Sequence, residues 1–257
     1  MKAQINISTT KDIIVDLKKP LSISIPIKNG SENPNCYWAD DVKFKTIKAE
    51  GFIGSVAEGG SVNYQSLEIT PHGNGTHIEG YGHITDSGET INNQLTTYHF
   101  YAKLISLTPT KNKNGDFTLE LTEELKSNDW KNVKSLIIRT LPNDNSKLSK
   151  KYSGTNPPYV STQLMEFIVS QGIEHLLIDL PSVDKEVDEG ALKSHKAFWK
   201  LPNNIRKNAT ITELIYVDDR ILDGFYLLNL QTINLEMDAA PCNPTLYKVE
   251  DYITISR

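Results

Sequence analysis

Cysteine is scarce in this chain. Two occur in 257 residues, Cys36 and Cys242, far apart and in no CxxC pattern. That excludes a disulfide framework and a thiolate zinc site, and reads as two free thiols in a reducing compartment. Long apolar runs are also missing, so no segment is expected to span a bilayer. Met1-Lys2-Ala3-Gln4-Ile5-Asn6 has no apolar signal core, and a cytoplasmic protein without a membrane partner is expected. There is no Lys/Arg run with interleaved aromatics, and the net charge is −5, which argues against a nucleic-acid partner. No internal repeat is present. Asn74-Gly75-Thr76 fits a glycosylation pattern, read as chance without a secretion signal.

What is present suits a globular protein. Hydrophobic residues make up 38% and charged residues 23%, enough for a real core. The length fits one large domain or two small ones. The first 70 residues read mostly as β, with strands at Ile13 to Val15 and Leu21 to Ile25 and a strand from Val62 to Ile69. Thr96 to Leu107 alternates and reads as a strand holding a structural His99; Thr122 to Trp130 reads as a short helix. Val133 to Thr140 is a strand, Ser161 or Thr162 caps a helix to Gln171 with Gly172 as its stop, and Ile173 to Leu180 is a second strand. Strand, helix, strand implies a βαβ unit with parallel pairing. A short helix carries His195 and Trp199, and strands follow at Thr210 to Val217, Phe225 to Leu235 and Leu246 to Val249.

The chemistry concentrates between Thr70 and His83. This stretch holds three of the six histidines, one carboxylate and four glycines. Imidazole and carboxylate are the usual ligands of zinc, manganese and similar ions. On a strand His77 and Glu79 point the same way. His72 has the opposite parity, which a turn or bulge at Gly73-Asn74-Gly75 would correct. His83 follows Gly80 and Gly82 and is placed past the strand. The competing reading is a solvated, glycine-rich surface hairpin.

Glu213 poses a second question. It is expected to share a strand face with Ile211, Ile215 and Val217, where a carboxylate is costly unless paired or bound to metal. The alternative is an edge strand with Glu213 in water. Trp38, after the Gly30 to Pro34 loop, reads as core filling or as a pocket mouth.

Gly75-Thr76-His77-x-Glu79 with His83, the Leu136 to Thr140 block and the Ile178 to Asp184 block together resemble the cyclase-type metal-dependent hydrolases, which include bacterial kynurenine formamidase and isatin hydrolase. The resemblance spans nearly the whole chain. It implies a single α/β domain over residues 1–257, of the swivelling β/β/α type with a mixed sheet, commonly a homodimer. It implies one or two divalent ions, zinc or manganese, held by His72, His77, Glu79, His195 and Glu213, with His83 as catalytic acid or base. Trp38 would line a substrate pocket, serving a neighbour's site. The implied activity is hydrolysis of a small amide, an aryl formamide as in tryptophan breakdown. Hydrolysis of a cyclic amide or lactone, or non-catalytic binding of a metal or metabolite, are the alternatives. Three departures stand out: four residues rather than three separate His72 from His77, Glu79 replaces an aspartate, and Gly80-Tyr81-Gly82 replaces a proline-bearing segment.

Overall fold

Strands whose side chains alternate between two cores organise the middle of the chain. In the computed structural model, which describes residues 1–254, strands Ser135–Thr140 and His175–Ile178 are buried along their whole length. Leu136, Ile138, Leu176 and Ile178 face one hydrophobic core, and Ile137 and Leu177 face another. A strand buried on both sides needs a layer on each. Helices Thr162–Ser170 and Lys193–Trp199 supply the first layer, packing Leu164, Met165, Ile168, Phe198 and Trp199 against the sheet. Ile78, Ile91, Leu104 and Leu228 belong to the second core.

The main sheet has eleven strands and is mixed. His99–Leu107, Ser135–Thr140, His175–Ile178 and Thr210–Glu213 are parallel neighbours in that order. On one side follow Gly224–Asn229, Thr245–Thr254 and the N-terminal hairpin Lys11–Asp16 with Lys2–Ser8, all antiparallel. On the other side follow His77–Glu79 and then Ala239–Pro241, also antiparallel. The expected βαβ unit is present between Ser135–Thr140 and His175–Ile178, and Lys193–Trp199 bridges the next parallel pair. Ser161 caps the first helix, its hydroxyl accepting from Leu164 N–H at 3.2 Å, and Gly172 ends it at φ 77°.

Several expected elements differ in extent. Lys2–Ser8 is an unanticipated strand, its burial alternating against Lys11–Asp16. Leu21–Ser22 is shorter than the alternation suggested, Gln65–Glu68 stops before the histidine stretch, and Gly224–Asn229 ends well before Leu235. His99 is exposed at the start of its strand, its Nε2 satisfied by the Asn229 amide at 2.9 Å. Both cysteines are free and buried. Among the described residues no helix is long and apolar enough to cross a membrane.

His175 gives the fold a pH dependence. It is buried in its strand, with Nδ1 2.8 Å from the Thr210 hydroxyl oxygen. Burial, helped by the cations of Arg206 and Lys134, lowers its pKa from 6.5 to about 3. The unfolded chain therefore takes up a proton that the folded chain refuses. The contribution is complete above pH 6.5 and is lost as pH falls from there toward about 3. The loss runs at up to about 1.4 kcal/mol per pH unit. Urea midpoints measured between pH 7 and 4 should fall more steeply for the wild type than for His175→Gln; parallel slopes would remove His175 from this role.

Candidate metal centre

The candidate ligands meet where the sheet changes from parallel to antiparallel. Thr210–Glu213 lies parallel to His175–Ile178 and antiparallel to His77–Glu79, with Glu213 opposite His77 and Ile211 opposite Glu79. Directly opposed residues on a sheet project to the same side. His77, Glu79 and Glu213 are thus brought together, and all are buried. Glu213 is not an edge residue in water. The expectation that it shares a face with Ile215 and Val217 fails, however. Leu214 adopts a left-handed backbone at φ 52°, and the alternation breaks there. Ile211 faces the helix-covered core, while Ile215 and Val217 belong to the other.

His72 sits on a short helical turn, Pro71–Asn74, which supplies the correction that its parity required. The turn packs closely: a Cβ on Gly73 would lie 2.4 Å from Ala39 Cβ. Asn74 Oδ1 accepts from Thr70 N–H at 2.8 Å, and the Thr76 hydroxyl donates to Leu214 O at 2.6 Å. Asn74 and Thr76 are both buried, so the glycosylation pattern is structural. His83 lies past the strand on the turn Tyr81–Ile84, as expected. A Cβ on Gly82 would lie 2.1 Å from the Glu89 carbonyl oxygen, so this turn requires glycine in place of any larger residue.

Glu79 is the centre of the arrangement. Its Oε2 is 3.2 Å from His72 Nδ1 and 3.7 Å from His83 Nε2, and its Oε1 is 3.2 Å from His195 Nε2. His77 Nε2 is 3.5 Å from Glu213 Oε2. His72, His77 and Glu79 offer atoms all within 4.8 Å of one another, and so do Glu79, His83 and His195.

Hydrogen bonds behind the rings fix which nitrogen faces in. His77 Nδ1 lies 2.9 Å from Gly75 O, which only accepts, so Nδ1 carries the hydrogen and Nε2 a lone pair. His195 Nδ1 donates to Asp184 Oδ2 at 2.7 Å in the same way. Asp184 is itself held by the backbone N–H groups of Ser194 and His195. Such outer carboxylates orient metal-binding imidazoles. His77 Nε2 and Glu79 Oε2 are buried and have no hydrogen-bond partner among the described residues. Buried polar atoms without partners are costly, and two acceptor sets aimed at each other call for a cation between them. A donor set of imidazoles and carboxylates suits a borderline divalent ion, which would take the place of the protons these rings otherwise hold.

The electrostatics agree. Burial works to raise the Glu79 pKa, but His83, His195 and His72 hold it well below the usual carboxylate range. Burial works to lower those of His72 and His195, yet the carboxylates of Asp238 and Glu79, and of Asp184 and Glu79, raise each to about 10. The site favours positive charge.

A cavity of about 350 Å³ opens onto this group, lined among others by His72, His83, His195, Glu213, Tyr37 and Lys185. Trp38 is not in its wall; it is 71% exposed, and its neighbour Tyr37 takes that place. Two site residues escaped the sequence reading as individuals. Asp184 lies inside the Ile178 to Asp184 block, and nothing in that block singles it out. Asp238, whose Oδ2 is 2.8 Å from His72 Nε2, precedes the short strand Ala239–Pro241, and no local pattern marks it.

The family model for Cyclase matches residues 15–185, about two thirds of the chain. The chain belongs to the Cyclase family. Within this Cyclase chain the matched span includes His72, His77, Glu79, His83 and Asp184, and stops before His195, Glu213 and Asp238. It is 24% identical over 223 residues to the kynurenine formamidase of Bacillus cereus, covering 86% of this chain and 93% of that one. It is 24% identical over 225 residues to that of Bacillus anthracis, covering 87% and 94%. Among solved structures, a potential metal-dependent hydrolase with cyclase activity superposes with a TM-score of 0.64 at 18% identity, covering 91% of this chain and 99% of that one. Isatin hydrolase A from Labrenzia aggregata gives 0.62 at 13% identity, covering 90% and 94%. These likenesses establish the Cyclase fold, a mixed α/β architecture with few helices.

Proposed function

We propose that this protein is a metal-dependent hydrolase of a small amide, an aryl formamide of the N-formylkynurenine type. The observation that carries the reading is the pair of buried acceptors His77 Nε2 and Glu79 Oε2, unpartnered among the described residues, beside the imidazole and carboxylate groups of His72, His83, His195 and Glu213 that line a cavity. The formamidase relatives, aligned over most of both chains, support the substrate class. His72, His77, Glu79, His195 and Glu213 would hold one or two zinc or manganese ions, with Glu79 placed to serve both sides. A divalent ion bound there lowers the pKa of water and polarises a carbonyl.

The chain's own residues complete the reaction. His83 lines the cavity, with Nε2 turned toward Glu79 and Nδ1 toward Asp238. It takes a proton from the attacking water at Nε2 and returns it to the amine nitrogen as the C–N bond breaks, giving formate and the free amine. Val183 N–H holds Glu213 Oε1 at 3.1 Å, and Asp184 holds the His195 ring, so the ligand side is fixed before substrate arrives. We place the whole chain in one domain of a cytoplasmic homodimer, with the exposed Trp38 reaching toward a second copy's pocket.

The test couples metal content, before and after chelation, to hydrolysis of N-formylkynurenine and isatin side by side. The expected result is stoichiometric divalent metal, formamide turnover lost on chelation, and recovery on adding zinc or manganese. Turnover of isatin alone would move the substrate class to cyclic amides. Metal without turnover of either would indicate a binding protein. A chain that takes up no zinc or manganese would overturn the proposal.

A further inference from the structure

Asp238 makes contacts at this site that the reaction above does not use. Its Oδ2 lies 2.8 Å from His72 Nε2 and 3.2 Å from His83 Nδ1. A carboxylate oxygen only accepts, so both of these nitrogens present a hydrogen to it. The other nitrogen of each ring then faces inward, His72 Nδ1 and His83 Nε2 both toward Glu79 Oε2. One oxygen thereby sets the orientation of two rings, whose centroids are 4.1 Å apart at an interplanar angle of 30°.

Asp238 is itself held in place. Its carbonyl oxygen accepts from Gly80 N–H at 3.1 Å, and the next residue, Ala239, pairs with Glu79 in the sheet. The carboxylate thus moves with the strand that carries Glu79 and His77. His72 stands on a separate turn and His83 on another, so a shared acceptor between them removes two independent rotations.

We propose that Asp238 is a positioning residue that holds His72 with Nδ1 free to bind metal and His83 with Nε2 free to move a proton. Ligand and base are set by a single carboxylate. The kinetic consequence rests on the hydrolytic reading; the effect on the rings and on metal affinity does not.

The experiment uses the full chain loaded with zinc and labelled with 15N-histidine. Asp238→Ala is compared with Asp238→Glu and with Glu236→Gln, a nearby control whose carboxylate accepts from Thr90 and Asn92, away from the candidate ligands. Ring nitrogen signals, assigned through His72→Gln and His83→Gln, report the tautomers. In the wild type His83 should hold its hydrogen on Nδ1 and His72 on Nε2. In Asp238→Ala the His83 signal should shift toward the other tautomer, and zinc affinity in competition with a chromophoric chelator should fall about 10-fold. kcat should drop about 10- to 100-fold, with KM changed by less than about twofold. Asp238→Glu should recover part of each, and Glu236→Gln should match the wild type. Unchanged ring signals and zinc affinity in Asp238→Ala would overturn the proposal. If the wild type hydrolyses no amide, the hydrolytic reading fails alone, and the ring and affinity measurements still decide the role of Asp238.

Discussion

His77→Ala should lose both bound metal and turnover. His77 is buried, its Nδ1 is committed to Gly75 O, and its Nε2 has no hydrogen-bond partner among the described residues but faces Glu213 Oε2 at 3.5 Å. Removing it leaves Glu79 and Glu213 on the same side of the sheet with no imidazole between their strands. Loss of an outer partner already costs about 10- to 100-fold in metal affinity, so loss of an inner ligand should exceed about 100-fold. Metal per chain after dialysis, measured beside N-formylkynurenine hydrolysis, checks this. Circular dichroism separates ligand loss from unfolding, and His77→Gln keeps the site filled if the alanine variant misfolds. Stoichiometric metal with normal turnover in His77→Gln and His77→Ala alike would take His77 out of the ligand set.

His83→Ala should instead lose turnover and keep the metal. Its Nε2 is 3.7 Å from Glu79, the longest approach to that carboxylate in the group, and its side chain is 32% exposed at the cavity. Those are properties of a group that meets substrate and water. Removing a general acid–base typically costs about 10²- to 10⁴-fold in rate. We expect a fall in kcat of that order at unchanged metal stoichiometry. Retained turnover would end the acid–base assignment. Loss of metal with turnover would make His83 a ligand, which its distance to Glu79 and His195 allows geometrically.

Much of this arrangement was legible in the chain. Period-two reasoning placed His77 and Glu79 on one side, and the glycine-rich spacer before His77 signalled a turn that could carry His72. The strand character of Thr210 to Glu213 was also clear. Local patterning lost its hold where single residues broke the rule. Leu214 enters the left-handed region although nothing about a leucine predicts it, and the face beyond Glu213 is reversed as a result. Strand limits such as Gly224–Asn229 depend on neighbours far away in sequence, because a strand ends where its pairing partner does. Asp238 was invisible for the same reason. It meets His72 across 166 positions, and no spacing rule reaches that far. Trp38 shows the converse: an aromatic beside a loop suggested core filling or a pocket mouth, and it is exposed while its neighbour Tyr37 lines the chain's own cavity.

The meeting of distant segments has a consequence for the chain as a polymer. The candidate ligands lie at positions 72 to 79, 195 and 213, on separate elements, while the two cysteines remain apart and unbonded. An ion gripping all three places would close one loop of more than a hundred residues, from Glu79 to His195, and a short one from His195 to Glu213; the long closure alone is a constraint worth several kcal/mol of lost freedom in the unfolded chain when supplied by a covalent link. Coordination would then stand in for the cross-link that this cysteine-poor sequence does not have. The grip would be reversible, tightening or relaxing the molecule with the supply of metal around it.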